Sequence, residues 1–197
     1  MTHESRLIAT FVLAVSTLAG CASSPPPRFY TLSAPDQPAA VAVYSVSVGP
    51  VTVPEIVDRP QFVLRTSANE VTITEQTRWA ESLQSEIPRV IAANLAQVLG
   101  DAHVSAYPQG TGSEADYRVV VDIQRFESAP GDAATVEALW AVSPATGKSG
   151  ATRNGRSAVR ERTQGMEYDA LVAAPSRAMA SISRDIAEAI RAARAAQ

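Results

Sequence analysis

Cys21 is the one residue whose chemistry is explained by its neighbours. It is the only cysteine in the 197 residues and stands directly after Leu18-Ala19-Gly20, at the end of an apolar run from Leu7 to Leu18. That run is about a dozen residues, too short to span roughly 30 Å of hydrocarbon as a transmembrane helix, and Arg6 with the amino terminus gives it a weakly positive start that Glu4 partly offsets. The pattern is that of a signal peptide, residues 1–20. Small residues before a cysteine at its end resemble the bacterial lipobox, whose cysteine is lipidated and then exposed by cleavage. With no second thiol in the chain a disulfide is impossible, so lipid explains Cys21 better than redox chemistry. Each buried CH₂ of an acyl chain contributes about 0.8 kcal/mol, and several chains (palmitate among them) hold firmly where one binds marginally. Residues 21–28, with Pro25-Pro26-Pro27, then form a short lipidated leash.

Other candidates for chemistry are thin. His103 is the only histidine after the cleavage point, and no G-x-S-x-G elbow places a serine nucleophile beside it. Zinc would need several His or Cys ligands, so no metal site is expected. Gly147-Lys148-Ser149 has the end of a phosphate-binding loop, but Val142 stands where its first glycine belongs and a turn and strand follow where a helix is required. Gly110-x-Gly112 lacks a third glycine and leads into a strand. Glu70, Glu75, Glu81 and Glu86 occur singly, the last three expected to face water on or near the first helix. Trp79, read as the first residue of an apolar helical stripe, and Trp140, in a strand, are read as core. The chain is therefore expected to be no enzyme and to carry no cofactor beyond covalent lipid on Cys21.

The elements that must support these residues follow from periodicity. Phe29–Leu32 and Val41–Val48 read as strands, the second with Tyr44, Val46 and Val48 on one face. Gly49-Pro50 and Pro54 make Val51–Asp58 an irregular connection, and Gln61–Thr66 and Glu70–Thr74 flank a hairpin turn at Ser67-Ala68-Asn69. Trp79, Leu83, Ile87, Val90, Ile91, Leu95, Val98 and Leu99 recur at three and four, predicting an amphipathic helix that ends at Gly100 and is kinked by Pro88. Ala102–Tyr107, a strand begun by Tyr117, Val119, Val121 and Ile123, Thr135–Val142 and the polar edge strand Gly155–Thr163 follow, with loops at Pro108–Glu114 and Ser143–Asn154. A second helix, Tyr168–Arg194, buries Leu171, Val172, Met179, Ile182, Ile186 and Ile190, with Pro175 marking its first turn.

Strands, helix, four strands, helix is the order of an α+β fold: a mostly antiparallel or mixed sheet with two main helices packed on it, in a single domain over residues 29–194. Hydrophobic residues at 46% can fill a core, and a net charge of −3 offers no basic surface for nucleic acid.

The order of short motifs resembles a known family. Phe29-Tyr30-Thr31-Leu32, Val48-Gly49-Pro50-Val51-x-Val53-Pro54, Asp58-Arg59-Pro60-Gln61, Arg78-Trp79-Ala80-Glu81-Ser82-Leu83, Asp116-Tyr117-Arg118-Val119 and Tyr168-Asp169-Ala170-Leu171-Val172-Ala173-Ala174 together look like the ABC-type transport auxiliary lipoproteins, the PqiC-like lipoproteins of MCE lipid-transport systems. The resemblance implies a non-enzymatic accessory that docks an MCE-domain protein and its ABC transporter complex as phospholipid moves between membranes. A homo-oligomer would suit docking onto ring-shaped MCE assemblies. Ala22, where the enterobacterial sorting pattern places an aspartate for inner-membrane retention, points to the periplasmic face of the outer membrane. The competing reading is an outer-membrane lipoprotein that regulates a peptidoglycan synthase, which the short leash disfavours. A hydrolase would have to rest on His103.

Overall fold

The structure, a computed structural model, describes residues 25–36, 41–107, 115–145 and 150–196. The signal peptide, Cys21, the start of the leash, the Pro108–Glu114 loop with Gly110 and Gly112, and Gly147-Lys148-Ser149 lie outside the described residues. The chain runs β1 (Arg28–Tyr30), β2 (Tyr44–Thr52), β3 (Gln61–Arg65), β4 (Val71–Trp79), α1 (Leu83–Leu99), β5 (Ala102–Ala106), β6 (Tyr117–Ser128), β7 (Ala133–Pro144), β8 (Arg153–Arg162) and α2 (Tyr168–Arg194). One mixed sheet of eight strands carries both helices, as the α+β reading requires.

β6 is the hub. Along one side it pairs in parallel with β2 through Val46–Tyr117 and Val51–Val121, and at its far end with β3 through Leu64–Ser128. β2 and β3 thus lie end to end against a single long strand. On its other side β6 pairs antiparallel with β7, and β7 with the edge strand β8. β5 extends the sheet in parallel beyond β2, and on the same side, farther along β6, β4 extends it beyond β3, with β1 parallel to β4 at the edge.

Both helices cover one face. On α1, Leu83, Ile87, Ile91 and Leu95 are all but fully buried, a strict i, i+4 row; on α2, Met179, Ile182, Ile186 and Ile190 form a buried row spaced at three and four. They meet Val46, Val48, Val119, Val121, Ile123, Val136 and Val142 in one cluster. Tyr30, Phe62, Trp79, Phe126 and Tyr168 close it at the β1–β4–β3 end, Trp79 stacked on Phe62 with ring centres 4.1 Å apart.

Several boundaries differ from the sequence reading. Trp79 ends β4 instead of starting α1, because its N–H is donated to Pro60 O at 2.7 Å and its backbone pairs with Tyr30. The helix begins four residues later, where Ser82 caps it by accepting the Ser85 N–H. Gly49-Pro50 does not break β2: Gly49 has φ +129, the peptide to Pro50 is cis, and the strand resumes through Val51 after an irregularity in its pairing with β6. A side chain at Gly49 would also stand 3.1 Å from Tyr107 Cβ.

Pro175 lies a full two turns inside α2 and does not mark its start. A proline there deprives the carbonyl four residues earlier of its helical donor, and that carbonyl, Leu171 O, accepts instead from the buried Ser128 hydroxyl at 3.2 Å. Pro88 likewise leaves the carbonyl of Gln84 without its helical donor, and Gln84 is exposed to water.

Candidate functional site: the uncovered sheet face and the anchored end

Alternation along each strand sorts residues onto two faces. With the helices on one, the other carries the side chains left over: Val120, Leu139, Ile73 and Phe29, between 36% and 61% exposed, together with Arg118, His103, Ser45 and Ser47. Among the described residues no secondary-structure element covers this face.

Its charged residues are organised. Glu127 on β6 accepts from Arg65 of β3 and from Arg125 of its own strand, and Glu137 on β7 lies 3.7 Å from Arg125 and accepts from Arg156 of β8. The result is a ladder of alternating sign crossing four strands, of the kind that pins cross-strand register. Burial alone would raise the Glu127 carboxyl, but hydrogen bonds from Arg65 and Arg125 outweigh it and hold it below the ordinary value. The hydrogen bond from Arg156 lowers Glu137 likewise. Arg118 lies 6.0 Å from the centre of the exposed Tyr107 ring, within cation–π range.

The remaining sequence candidates do not assemble into a catalytic set. His103 is exposed on β5 beside Ser45 of β2. The Ser45 hydroxyl donates to Asp116 Oδ2 at 2.8 Å and its oxygen accepts the Asp116 N–H at 3.0 Å. The Ser45 proton is thus directed to a carboxylate and not to the His103 imidazole, so the two do not form a Ser–His pair. Trp140 donates its indole N–H to Ser157 Oγ at 3.0 Å, and Ser157 in turn donates to Asp185 on α2. The indole lies over Gly155, where a Cβ would come within 2.1 Å of it. Among the described residues no group of three or more His, Cys, Asp or Glu side chains could hold a metal ion, and no helix is long and apolar enough to cross a membrane.

Glu86 corrects the reading of a water-facing carboxylate. It is 4% exposed, beneath the segment that follows β1. Its Oε1 accepts the Leu32 N–H at 2.8 Å, while Oε2 is buried without a partner. Burial is the larger influence and pushes its carboxyl above the ordinary glutamate value, against the Leu32 hydrogen bond. Ser33 is fixed similarly, its N–H donated to Ser176 Oγ at 2.9 Å. Thr31–Asp36 therefore straps the entering chain over the helix layer, beside a groove of about 410 Å³ bordered by Pro35, Asn94, Ala173 and Ala180. Spacing carried this signal: Glu86 falls three residues after Leu83 and four before Val90, on the apolar stripe itself.

A second cleft, of about 560 Å³, lies between the β3–β4 hairpin and the β6–β7 turn, bordered by Arg65, Thr66, Ser67, Arg125, Glu127 and Pro130. It sits at the end of the sheet toward which the leash leads.

Comparison with known proteins agrees with this architecture. A family model described as the ABC-type transport auxiliary lipoprotein component matches residues 30–187. A crystal structure of an uncharacterized protein superposes with a TM-score of 0.69 at 20% identity, covering 84% of this chain and 99% of that one. A Xanthomonas campestris protein assigned to family DUF330 superposes with a TM-score of 0.59 at 20% identity, covering 81% of this chain and 92% of that one. At that identity both likenesses show the fold alone. No curated protein matches the sequence.

Proposed function

The chain belongs to the ABC-type transport auxiliary lipoprotein family, and on that footing we propose that it is the lipid-anchored docking component of an ABC/MCE-type system moving phospholipid between membranes. Acyl chains on Cys21 hold it at the periplasmic face of the outer membrane after residues 1–20 are removed. It performs no chemistry of its own: ATP hydrolysis belongs to a cytoplasmic subunit and the lipid conduit to the MCE-domain protein. The uncovered sheet face is the surface it offers that protein.

The observation that carries this reading is the one-sided burial of the sheet. The helices bury most of one face, leaving Trp140 and Val159 partly exposed toward its β8 edge, while Val120 and Leu139 on the other remain 36% and 43% exposed at its centre. Apolar side chains at the middle of a face, rimmed by arginines and glutamates, have the make-up of a protein–protein interface.

Cell fractionation tests the anchor. Cys21→Ser, which blocks lipidation and the cleavage that follows it, should remove the protein from the outer-membrane fraction, and intact-mass analysis of the parent should show a triacylated Cys21 at the amino terminus. An unacylated parent that fractionates as soluble would refute the reading. Genes for an ATPase, a permease and an MCE protein beside this one support it, whereas co-purification with a peptidoglycan synthase would favour the regulator instead.

A further inference from the structure

We propose that one end of the domain, formed by the β3–β4 hairpin tip, the β6–β7 turn and the β8–α2 loop, rests on the phospholipid headgroup layer of the anchoring membrane. The inference rests on lipidation at Cys21 and adds an orientation to it.

The direction of entry comes first. β1 runs parallel to β4, with Arg28 opposite Thr77 and Tyr30 opposite Trp79. Residues before Arg28 therefore approach from the side on which β4 begins, where the hairpin turns at Thr66–Glu70. Pro25-Pro26-Pro27 stand immediately before Arg28, and consecutive prolines continue extended at about 3.1 Å per residue with little freedom to fold back. The leash thus leaves the domain pointing toward the hairpin end.

Length comes second. From Cys21 to Arg28 the chain advances seven residues, at most about 25 Å fully stretched. From Arg78 back to Val71, the base of the hairpin, β4 lies against only the four residue steps from Gln61 to Arg65 of β3, because its pairing is irregular between Arg78 and Ile73, so the base stands about 13 Å away along the strands. The tip is a short turn beyond that base, so even a taut leash carries the anchored cysteine no more than about 10 Å past it. The domain is held within about 10 Å of the bilayer, and its hairpin end is the part held nearest it.

That end has suitable chemistry. Leu64–Ser128 pairing puts the β6–β7 turn beside the hairpin, and Ala133–Arg162 pairing with the Thr163 N–H donated to Asp132 O brings in the β8–α2 loop. The tips are mostly small residues (Ser67, Ala68, Asn69, Pro130, Gly131) with the exposed carboxylates Glu70 and Asp132 beside them, and they suit the wet headgroup zone. Met166, 72% exposed beside Gly131, is the large apolar side chain projecting there. Such a surface binds lipid too weakly to hold a free protein, but tethering makes the contact intramolecular and fills it by effective concentration.

The test uses the lipidated full chain in phosphatidylethanolamine/phosphatidylglycerol vesicles containing a spin-labelled lipid quencher. Cys21 is blocked by its thioether, so a cysteine introduced as Ala68→Cys, Met166→Cys or Ala151→Cys takes a fluorophore uniquely. Ala151 precedes β8 at the opposite end of the sheet. Quenching at least threefold stronger at 68 and 166 than at 151 is expected, and ten Gly/Ser residues inserted between Ser24 and Pro25 should reduce the difference to none. Vesicle-bound protein quenched as strongly at 151 as at 68 and 166 would overturn the orientation, as would a difference that survives the insertion. Protein that fails to sediment with vesicles at all would instead sink the anchor reading, and the orientation with it.

Discussion

At the scale of single residues, Glu86 sets burial against hydrogen bonding. One carboxylate oxygen is used by the Leu32 N–H and the other is shut away without a donor. Burial raises its carboxyl, Glu81 adds to the rise, and Arg89 opposes it. A glutamate raised on folding favours the folded state as the neutral acid. That contribution is fully present below the unfolded value of 4.5 and is lost as pH rises through the raised one. Glu86→Gln retains an acceptor for Leu32 and removes the charge. Thermal melts should therefore show it more stable than the parent at pH 7.5, with the gap closing by pH 4. Glu86→Ala, which removes the acceptor, should melt lower than the parent at both. A glutamine variant that is less stable at pH 7.5 would show that the buried charge is compensated by a route absent from this account.

At the scale of elements, two substitutions probe contacts that hold strands and helices together. Ser128 lies at the single pairing that joins β3 to β6, and its hydroxyl serves the carbonyl orphaned by Pro175 in α2. Ser128→Ala leaves that buried oxygen unpaired and should cost about 1–3 kcal/mol in denaturant unfolding; a loss near zero would mean water serves the carbonyl. Gly155→Ala drives a methyl into the Trp140 indole and should cost about 1–3 kcal/mol by overpacking, with Trp140 fluorescence reporting the displacement.

These contacts mark where periodicity stopped being informative. The two helices, the hairpin and the four strands after α1 were legible because their apolar residues recur at 3.6 or 2. That Trp79 belongs to a strand was not, since it continues the helical spacing and only its hydrogen bond to Pro60 settles the matter. Pro175 resembled a start signal because its replacement donor, Ser128, is 47 residues away in sequence and comes near only through the fold. Gly155 read as one polar position in an edge strand, and only the register of β7 on β8 places an indole over it. The buried position of Glu86 was legible in spacing, but charge argued for water and outweighed it.

At the scale of the whole molecule, the fold separates three surfaces. The helix face is filled, and in the proposed function the entering end is tied to lipid. The broad face of the sheet, with the Arg–Glu ladder around an apolar centre, is the surface proposed for a partner. The order of motifs carried the family in the sequence. The uncovered face could not be read there, because half-buried strands look alike whether their outer side meets water or another protein. The most direct test of the central claim is photocrosslinking in intact envelopes, with a photoreactive residue at Val120 or Leu139 and a control at the exposed Glu188 on the outer side of α2. The account predicts a crosslink from positions 120 and 139 to the MCE-domain subunit, and none from 188. An MCE subunit absent from both sheet positions, or captured equally from 188, would contradict it.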